Sequence, residues 1–561
     1  MLLVGAETAA ASAAIFLAAA IAIAYLVDSV GLRIVPAVVF VAAAAVAAFA
    51  FMRLRRLARP DRAAAAIAAV IVAVTFGWLL WLARPDLLPT GSGPDLVHHL
   101  ALIAYIEQHW RLPHDPQLGA YLGEMVHYTP GVHLLASLAG GWLRTDGLHA
   151  LDAMLALSVA LKAAFVFLVA RRCMPSERTR DPFSVGAVVL LLVPYAYSVG
   201  SFTEQSYLAQ AASELFAVAM WWALTVWDQQ PSHAAAVLFA IFGVGAFLTW
   251  PVWTGPLLLV FVTVALIHAA SGRSRRAPDA PTAEPPRPLG ATAADLLIGV
   301  APVAAIGALH GSQHPAGFQI VRTGGFVIWP TPDVVKWWFF ALAAIGVLFA
   351  LTRRRLLGVT LLLVAIAAQA AALTEAARSS GAAAPYLALK MFYLAIYPMA
   401  VAIAATAAAL WDTITAHVAG LRSPAAAWIV VAAIGIAVAR PVAVAPRPKP
   451  VLSEPVFQAG EWAKSHVGLT CVDYLTRDGY TAYWLHLAVF GQPRASGRAI
   501  EDETFEPKKA LVRWILPGGL PYAITDDLDA LPRDIRSNID VVTQFGHAAV
   551  VKRRGASGPC H

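Results

Sequence analysis

Charged residues are scarce in this chain. Only 13% of its 561 residues are charged, whereas 59% are hydrophobic. Soluble domains carry about 25% charged residues, so this composition excludes an ordinary soluble protein and indicates a polytopic membrane protein. Cysteine is also rare, and three cysteines in so long a chain exclude a disulfide scaffold and a cysteine-based zinc cluster. No removable signal peptide is expected, because residues 1–28 lack a basic leading segment and run directly into further apolar stretches.

Long apolar runs predict the membrane-spanning helices. A helix needs about 20 apolar residues to cross the hydrocarbon core, and the chain contains about thirteen runs of suitable length. The predicted fold class is therefore an α-helical polytopic membrane protein. The predicted spans are 8–28, 34–52, 63–83, 148–170, 183–200, 208–227, 234–250, 254–270, 294–310, 336–352, 356–375, 386–410 and 426–442.

Four basic clusters orient these spans. They follow the second, fourth, eighth and tenth spans, and all fall on one side when the spans alternate in direction. The positive-inside rule assigns that side to the cytoplasm. This predicts a multi-pass protein of the cytoplasmic (inner) membrane, with its N-terminus inside and its C-terminus outside. The clusters are Arg53, Arg55, Arg56, Arg59 and Arg62; Arg171, Arg172, Arg178 and Arg180; Arg273, Arg275, Arg276 and Arg287; and Arg353–Arg355.

Two further parts of the chain have a different character. Residues 131–143 are apolar but too short to span, and we expect a helix at the outer interface there. Beyond residue 450 the composition is that of a soluble domain, with a helix in PVFQAGEWAKSH and strands in CVDYLT and HAAVVKR. The predicted domains are a membrane domain over 1–442, with an extracytoplasmic loop over 84–147, and a small extracytoplasmic α/β domain over 443–561. Cys471 and Cys560 lie in the second domain, where a disulfide and two free thiols are both open.

The loop segment Gly91–Gly131 gathers ionisable residues beside the predicted bilayer. Such groups are costly there without a task, so this segment is the predicted functional site. Asp95 follows the turn sequence GSGP and precedes a run with helical apolar spacing, which predicts an N-cap position. A purely structural cap and a catalytic carboxylate both fit it. His98 and His99 come three and four residues later and share a helical face with Asp95.

Glu124 and His127 form a second polar pair in the same loop. A solvated turn and a direct part in the chemistry both fit this pair. No metal site is predicted, because Asp-x-x-His-His supplies fewer than the usual protein ligands of a catalytic zinc site. A divalent metal stays open, and no cofactor is expected.

The loop resembles the matching segment of the GT-C glycosyltransferases, which use sugars linked to polyprenyl phosphate. The shared features are an Asp that opens a large external loop, an amphipathic helix, the Tyr-x-Pro-Gly sequence Tyr128–Gly131, and a short apolar helix before a long span that ends in basic residues. The resemblance covers 86–172 and is to the superfamily that includes protein O-mannosyltransferases, aminoarabinose transferases and bacterial arabinosyltransferases. Two spans precede the one that leads into the loop, where the usual pattern has a single one, so the chain resembles a divergent member.

The resemblance implies transfer of a hexosyl or pentosyl group, with inversion, to an extracytoplasmic glycan, lipid or protein. It implies that Asp95 is the general base on the acceptor hydroxyl. The leaving polyprenyl phosphate needs cations or hydrogen-bond donors. Lys390 is one candidate cation, although its side chain could instead simply extend to the membrane interface. The residues expected at the donor phosphate are His98, His99, Lys390 and Arg378. Those expected at the sugar or acceptor are Glu124, His127, Tyr128, Glu204, Gln205, Tyr207 and Tyr393.

Two other functions stay open. One is a transporter or flippase for a lipid-linked or small polar substrate, and the other is a non-catalytic protein of cell-envelope assembly. Transporters often hold ionisable residues near mid-membrane in two related halves. Here Lys162, Glu214 and Asp295 are predicted to be isolated or near helix ends, which favours an enzyme. The expected partners are the bilayer, the lipid-linked donor and the acceptor, and nucleic acid is not expected.

Overall fold

A computed structural model describes residues 3–91, 94–274, 288–315, 325, 327–418, 423–443, 449–450, 452–467, 471–490, 511–512, 514–515 and 519–556. Most of these residues are helical. The helices are α1 Gly5–Ser29, α2 Pro36–Arg55, α3 Arg62–Ala83, α4 Pro94–His109, α5 Gly119–Leu122, α6 Gly131–Leu143, α7 Gly147–Cys173, α8 Arg180–Leu190, α9 Gly200–Thr203, α10 Leu208–Gln229, α11 His233–Thr249, α12 Thr254–Ser274, α13 Leu289–Gln313, α14 Pro332–Val335, α15 Trp337–Leu351, α16 Leu357–Ser379, α17 Tyr386–His417, α18 Pro424–Ala443, α19 Glu454–His466, α20 Gly479–Trp484 and α21 Arg533–Ser537. The strands are β1 Leu3–Val4, β2 Ala58–Arg59, β3 Val472–Leu475, β4 Tyr522–Thr525, β5 Ile539–Phe545 and β6 Ala548–Arg553.

Within the described residues, nine segments are long and apolar enough to cross a membrane. They are built on α1, α2, α3, α7, α12, α13, α16, α17 and α18, and each overlaps a predicted span. Helix α10 has 22 residues, but Gln210 and Glu214 interrupt its apolar sequence, while α11 and α15 are shorter, with 17 and 15 residues. The polytopic helical fold is confirmed, whereas the count of thirteen crossings stays a prediction.

One predicted span is not a continuous helix. Helix α8 ends at Leu190 after 11 residues, and the chain continues through turns into the short 3-10 segment Tyr195–Tyr197. Pro194 explains the break, because proline has no N–H to donate and its ring clashes with the carbonyl four residues earlier, here that of Leu190. The continuous helix predicted over 183–200 is therefore wrong.

Helices α7 and α10 form the centre of the membrane domain. Nearly every residue of both is buried, including the charged Lys162 and Glu214, because other helices pack around them. Helices α2 and α18 instead expose apolar side chains such as Val41 and Ile436. Helix α6 confirms the predicted helix over 131–143, and at about 1.5 Å per residue it is too short to span. Its residues 131–140 are all buried, so it lies inside the protein and not on its surface.

Charged side chains are paired at the end of the membrane domain opposite α4 and α6. The side that carries α4 and α6 is called the loop side below. On the opposite side, the guanidinium of Arg172 donates to Glu7 of α1 at 2.7 Å. Asp295 of α13 accepts from the indole N–H of Trp227 at 2.7 Å and pairs with His233. Asp295, predicted to be isolated or near a helix end, lies within the first two turns of α13 and is paired. Pairing offsets the high cost of burying a charge.

The C-terminal residues form a four-stranded sheet with the order β3-β4-β6-β5. Strands β3 and β4 are parallel, and the other two pairings are antiparallel. Side chains alternate between the two faces: Ile524 and Val550 join the main core, while Ala523 and Val551 join a smaller cluster around Trp514. The helix predicted in this region is confirmed as α19, and the two predicted strands are confirmed as β3 and β6.

The cysteines fall in different surroundings. Cys173 is buried and free. Cys471, beside β3, is buried and disulfide-bonded. Cys560, whose pairing the sequence left open, lies outside the described residues.

Candidate active site

Asp95 lies in the first turn of α4. The helix begins at Pro94, so Asp95 is its second residue, two positions after the N-cap, and the prediction that Asp95 is the N-cap is wrong. Proline suits the first position of a helix because the N–H that it lacks would have no helical partner there. A carboxylate in the first turn also meets the positive end of the helix dipole. The side chain of Asp95 is outside the described residues.

The chain that enters α4 is fixed by contacts on the loop side. The backbone N–H of Thr90 donates to the buried carboxylate of Asp152 in α7. Gly91 has φ +121°, and a Cβ at this position would clash with the hydroxyl of Ser206. The segment before α4 therefore lies directly against the connection between α9 and α10. This contact brings the start of α4 close to Tyr207, which follows Ser206.

His98 is held from two sides. Its Nδ1 lies 3.6 Å from Oε2 of Glu124, and its Nε2 is hydrogen-bonded to the hydroxyl of Tyr483 in the C-terminal domain. Gly123 has φ +55°, and a Cβ there would lie 3.0 Å from Cε1 of His98, so glycine leaves room for the ring. The interaction with His98 lowers the pKa of Glu124 below its usual value. Glu124 thus pairs with His98 of α4.

His99 faces the interior of the protein. Its Nδ1 lies 2.8 Å from Nε2 of His133, and the two rings are stacked with centroids 5.0 Å apart. The ring of Tyr128 packs edge-on against both histidines. Burial lowers the pKa of His99 to about 4, so the imidazole is neutral near pH 7. His99 can shape the site and form hydrogen bonds, but it brings no positive charge to a phosphate.

Lys390 of α17 lies in an aromatic enclosure. It is only 1% exposed, so it does not snorkel out of the protein. Its ammonium lies over the ring of Tyr207 and is 5.1 Å and 5.3 Å from the ring centroids of Tyr386 and Tyr393. Aromatic faces attract a cation, and the charge of Lys390 acts on His99 electrostatically. The lysine and the start of α4 therefore belong to one region.

Gln205 links this region to α17. Its amide oxygen accepts a hydrogen bond of 2.9 Å from the hydroxyl of Tyr393. Glu204, the preceding residue, is exposed. The predicted sugar-binding group therefore divides: Gln205, Tyr207 and Tyr393 surround Lys390, while Glu204 lies at the surface beside them.

Two predicted residues have no described contact with Lys390 or with His98. Arg378 is exposed in the last turn of α16, and within the described part of the chain no hydrogen bond or ion pair joins it to the other candidates. His127 belongs to a separate histidine group: its ring is 6.1 Å from that of His314, which is 4.8 Å from that of His310. No set of three His, Cys, Asp or Glu side chains among the described residues is placed to hold a metal ion.

A polar cluster that was not predicted from the sequence lies further along α17 than Lys390. The ammonium of Lys162 in α7 lies 2.6 Å from Oε2 of Glu214 in α10, and the hydroxyl of Tyr397 donates to the same oxygen at 2.5 Å. Gln210 donates to the other carboxylate oxygen at 3.3 Å. Lys162 and Glu214 were predicted to be isolated or near helix ends, whereas the structure pairs them inside α7 and α10. A signal was present, since residues 207, 210 and 214 share one face of α10, and residues 386, 390, 393 and 397 share one face of α17.

No protein-family model and no curated protein matches this sequence, but solved structures do. An oligosaccharyltransferase from Archaeoglobus fulgidus, in complex with zinc and sulfate, is 14% identical with a TM-score of 0.48, over 82% of this chain and 68% of that chain. ArnT from Cupriavidus metallidurans, bound to undecaprenyl phosphate, is 15% identical with a TM-score of 0.46, over 88% of this chain and 98% of that chain. The Archaeoglobus fulgidus oligosaccharyltransferase AglB, in complex with an inhibitory peptide and a dolichol-phosphate, is 14% identical with a TM-score of 0.46, over 82% of this chain and 69% of that chain.

Proposed function

We propose that this protein is a membrane glycosyltransferase that transfers a hexosyl or pentosyl group from a polyprenyl-phosphate donor to an extracytoplasmic glycan, lipid or protein. The observation that carries the proposal is the position of a buried lysine, Lys390, beside the entry to α4, the helix that bears Asp95. A cation and a carboxylate on one side of a membrane domain suit a reaction whose leaving group is an anionic lipid phosphate. The loop side is then the extracytoplasmic side of the cytoplasmic membrane.

The donor phosphate is assigned to Lys390 in this proposal. The ammonium is dehydrated by its burial among Tyr207, Tyr386 and Tyr393, and an electrostatic contact with a phosphate is stronger in such surroundings than in water. His98 lies one helical turn after Asp95, but its two ring nitrogens face Glu124 and the hydroxyl of Tyr483, so it is not assigned to the phosphate. His99, being neutral, contributes shape, and Arg378 is not assigned to this phosphate because it is exposed at the end of α16 and has no described contact with Lys390.

The acceptor is assigned to the start of α4. The carboxylate of Asp95 takes the proton of the acceptor hydroxyl, whose oxygen forms the new bond to the anomeric carbon as the bond from that carbon to the lipid phosphate breaks. Attack from the face opposite the phosphate inverts the anomeric configuration. Glu124 and Tyr128 contact His98 and His99, which supports a place for them at the sugar or acceptor. Catalysis needs no cofactor in this proposal.

Transfer of a radiolabelled sugar from polyprenyl phosphate in proteoliposomes tests the proposal. Asp95→Asn retains the size of the side chain but removes the base, and we expect transfer to fall by about 10²- to 10⁴-fold. Asp115→Asn is the matched control, because Asp115 is an exposed carboxylate of the same loop that accepts only a local backbone hydrogen bond from Gln117. Full activity of Asp95→Asn would overturn the assignment of the base.

A transporter or flippase is the second candidate function, because Lys162 and Glu214 form a buried ion pair inside the membrane domain, a feature that marks many transport pathways. The same proteoliposomes distinguish it. Movement of a fluorescent lipid-linked sugar between leaflets, lost in Lys162→Met and unaccompanied by sugar transfer, would favour the transporter. If the protein shows no lipid movement and no sugar transfer, the result would favour a non-catalytic assembly protein.

A further inference from the structure

The C-terminal domain contacts the candidate site directly. Tyr483 lies in α20, which packs on α4, and its hydroxyl is hydrogen-bonded to Nε2 of His98. The two rings meet edge to face, with centroids 5.4 Å apart. Glu124 lies 3.6 Å from the opposite ring nitrogen. Both nitrogens of His98 therefore have a polar neighbour, one from the loop and one from the C-terminal domain.

This arrangement restricts the imidazole. A carboxylate beside Nδ1 favours a proton on that nitrogen, which leaves Nε2 to accept from the hydroxyl of Tyr483. The ring cannot turn without losing both interactions. His98 lies three residues after Asp95, a spacing that places both residues on one face of α4, so we expect a change at His98 to affect the proposed base.

We propose that Tyr483 is a positioning residue: through His98 it fixes the polar face at the start of α4, and the C-terminal domain is thereby part of the active site. This inference rests on the proposed glycosyltransferase function. It differs from a role in acceptor recognition alone, because the residue acts on the catalytic face and not on the acceptor.

Other contacts hold the domain in place without Tyr483. The backbone N–H of Gly91 donates to the carbonyl of Lys449 at 3.3 Å, and Thr90 forms a β-bridge with Pro450. Nε2 of His149, at the start of α7, lies 2.9 Å from Oε2 of Glu454. Removal of one hydroxyl should therefore leave the domain docked, which makes a specific test feasible.

The test uses the full chain in proteoliposomes with a radiolabelled polyprenyl-phosphate sugar. Tyr483→Phe keeps the ring and removes the hydrogen bond, and we expect kcat to fall by about 3- to 10-fold with the KM for the donor unchanged. Tyr480→Phe is the matched control, because Tyr480 lies in the same helix and is 47% exposed. Resistance of the C-terminal domain to trypsin, equal to that of the wild type, verifies that it is still docked.

A double-mutant cycle separates positioning from a general structural role. If Tyr483 acts through His98, Tyr483→Phe has no further effect once His98→Gln is in place, whereas independent effects multiply. Multiplying effects, or a Tyr483→Phe enzyme with wild-type kcat, would overturn the inference. If the inference about Tyr483 fails in one of these ways but Asp95→Asn is inactive, the proposed glycosyltransferase function is unaffected. If Asp95→Asn is fully active, the proposed base fails first, and the role of Tyr483 falls with it.

Discussion

The ammonium of Lys162 lies 2.6 Å from a carboxylate oxygen of Glu214, and both side chains are buried at the centre of the membrane domain. The pair joins α7 to α10, and Tyr397 ties α17 to the same carboxylate. Three helices thus meet at one ion pair. Tyr397 lies one turn along α17 from Tyr393, whose ring is next to Lys390. The ion pair of Lys162 and Glu214 therefore helps to hold the part of α17 that carries the proposed donor site.

Loss of one partner of this pair should destabilise the fold. Glu214→Gln leaves the buried ammonium of Lys162 without its counter-charge, and removal of one partner of a buried ion pair costs about 3–5 kcal/mol. The free energy of unfolding, measured by denaturant titration in mixed micelles, checks this. Glu375→Gln, at an exposed position of α16, is the control and should have little effect. The double variant Lys162→Met with Glu214→Gln should lose less than the sum of the two single changes.

The proposed orientation has its own test. Ser537 in α21 and Glu177, in the connection between α7 and α8, are both exposed, and they lie at opposite ends of the protein. We expect an impermeant thiol reagent to label Ser537→Cys in intact cells and Glu177→Cys only after permeabilisation. Labelling of Glu177→Cys in intact cells would reverse the orientation and remove the proposed extracytoplasmic site.

Local sequence patterns predicted the elements better than the contacts between them. Helical spacing located α4 and α6, since it depends only on neighbouring residues. The break after Leu190 was missed although Pro194 is visible, because the apolar run continues past it and hydropathy alone does not register a missing N–H. Asp95 was predicted two positions too early, as the N-cap and not as the second residue of α4, since Pro94 was taken as part of the turn.

The pairings within the site depend on distant residues. His98 and Tyr483 are 385 residues apart, and Lys162 and Glu214 are 52 apart. No spacing rule joins them, because the packing of whole helices and of the C-terminal domain decides which side chains meet. The spacing of polar residues around Lys390 nevertheless indicated a shared polar face on α17. The spacing of Gln210 and Glu214 indicates a similar polar face on α10.

The buried histidine pair predicts a pH dependence of stability. Burial lowers the pKa of His99 to about 4 and that of His133 well below 6.5, whereas an unfolded histidine has a pKa of about 6.5. Between these values the unfolded chain binds protons that the folded chain does not, so the stabilising contribution is complete above about pH 6.5 and is lost as the pH falls toward 4.

Thermal unfolding of the purified protein between pH 7.5 and pH 5 measures this effect. We expect the midpoint to fall with pH in the wild type and to fall less steeply in His133→Asn, which removes one of the two titrating groups. His109→Gln is the control, because His109 is exposed and lies in α4, the helix that carries His99. An equally steep fall in His133→Asn would show that other groups cause the dependence.

Lys390→Met separates binding of the donor from the chemical step. Methionine has a similar length and lies comfortably among the three tyrosines, but it removes the charge that the proposal assigns to the lipid phosphate. A hydrogen bond to a charged group contributes about 1.5–3 kcal/mol, so we expect the KM for the polyprenyl-phosphate donor to rise by about 10- to 100-fold, with kcat reduced far less than in Asp95→Asn. Lys336→Met, at an exposed lysine, should leave both constants unchanged. An unchanged donor KM in Lys390→Met would mean that the lysine stabilises the aromatic enclosure only, and that the phosphate is bound elsewhere on the loop side.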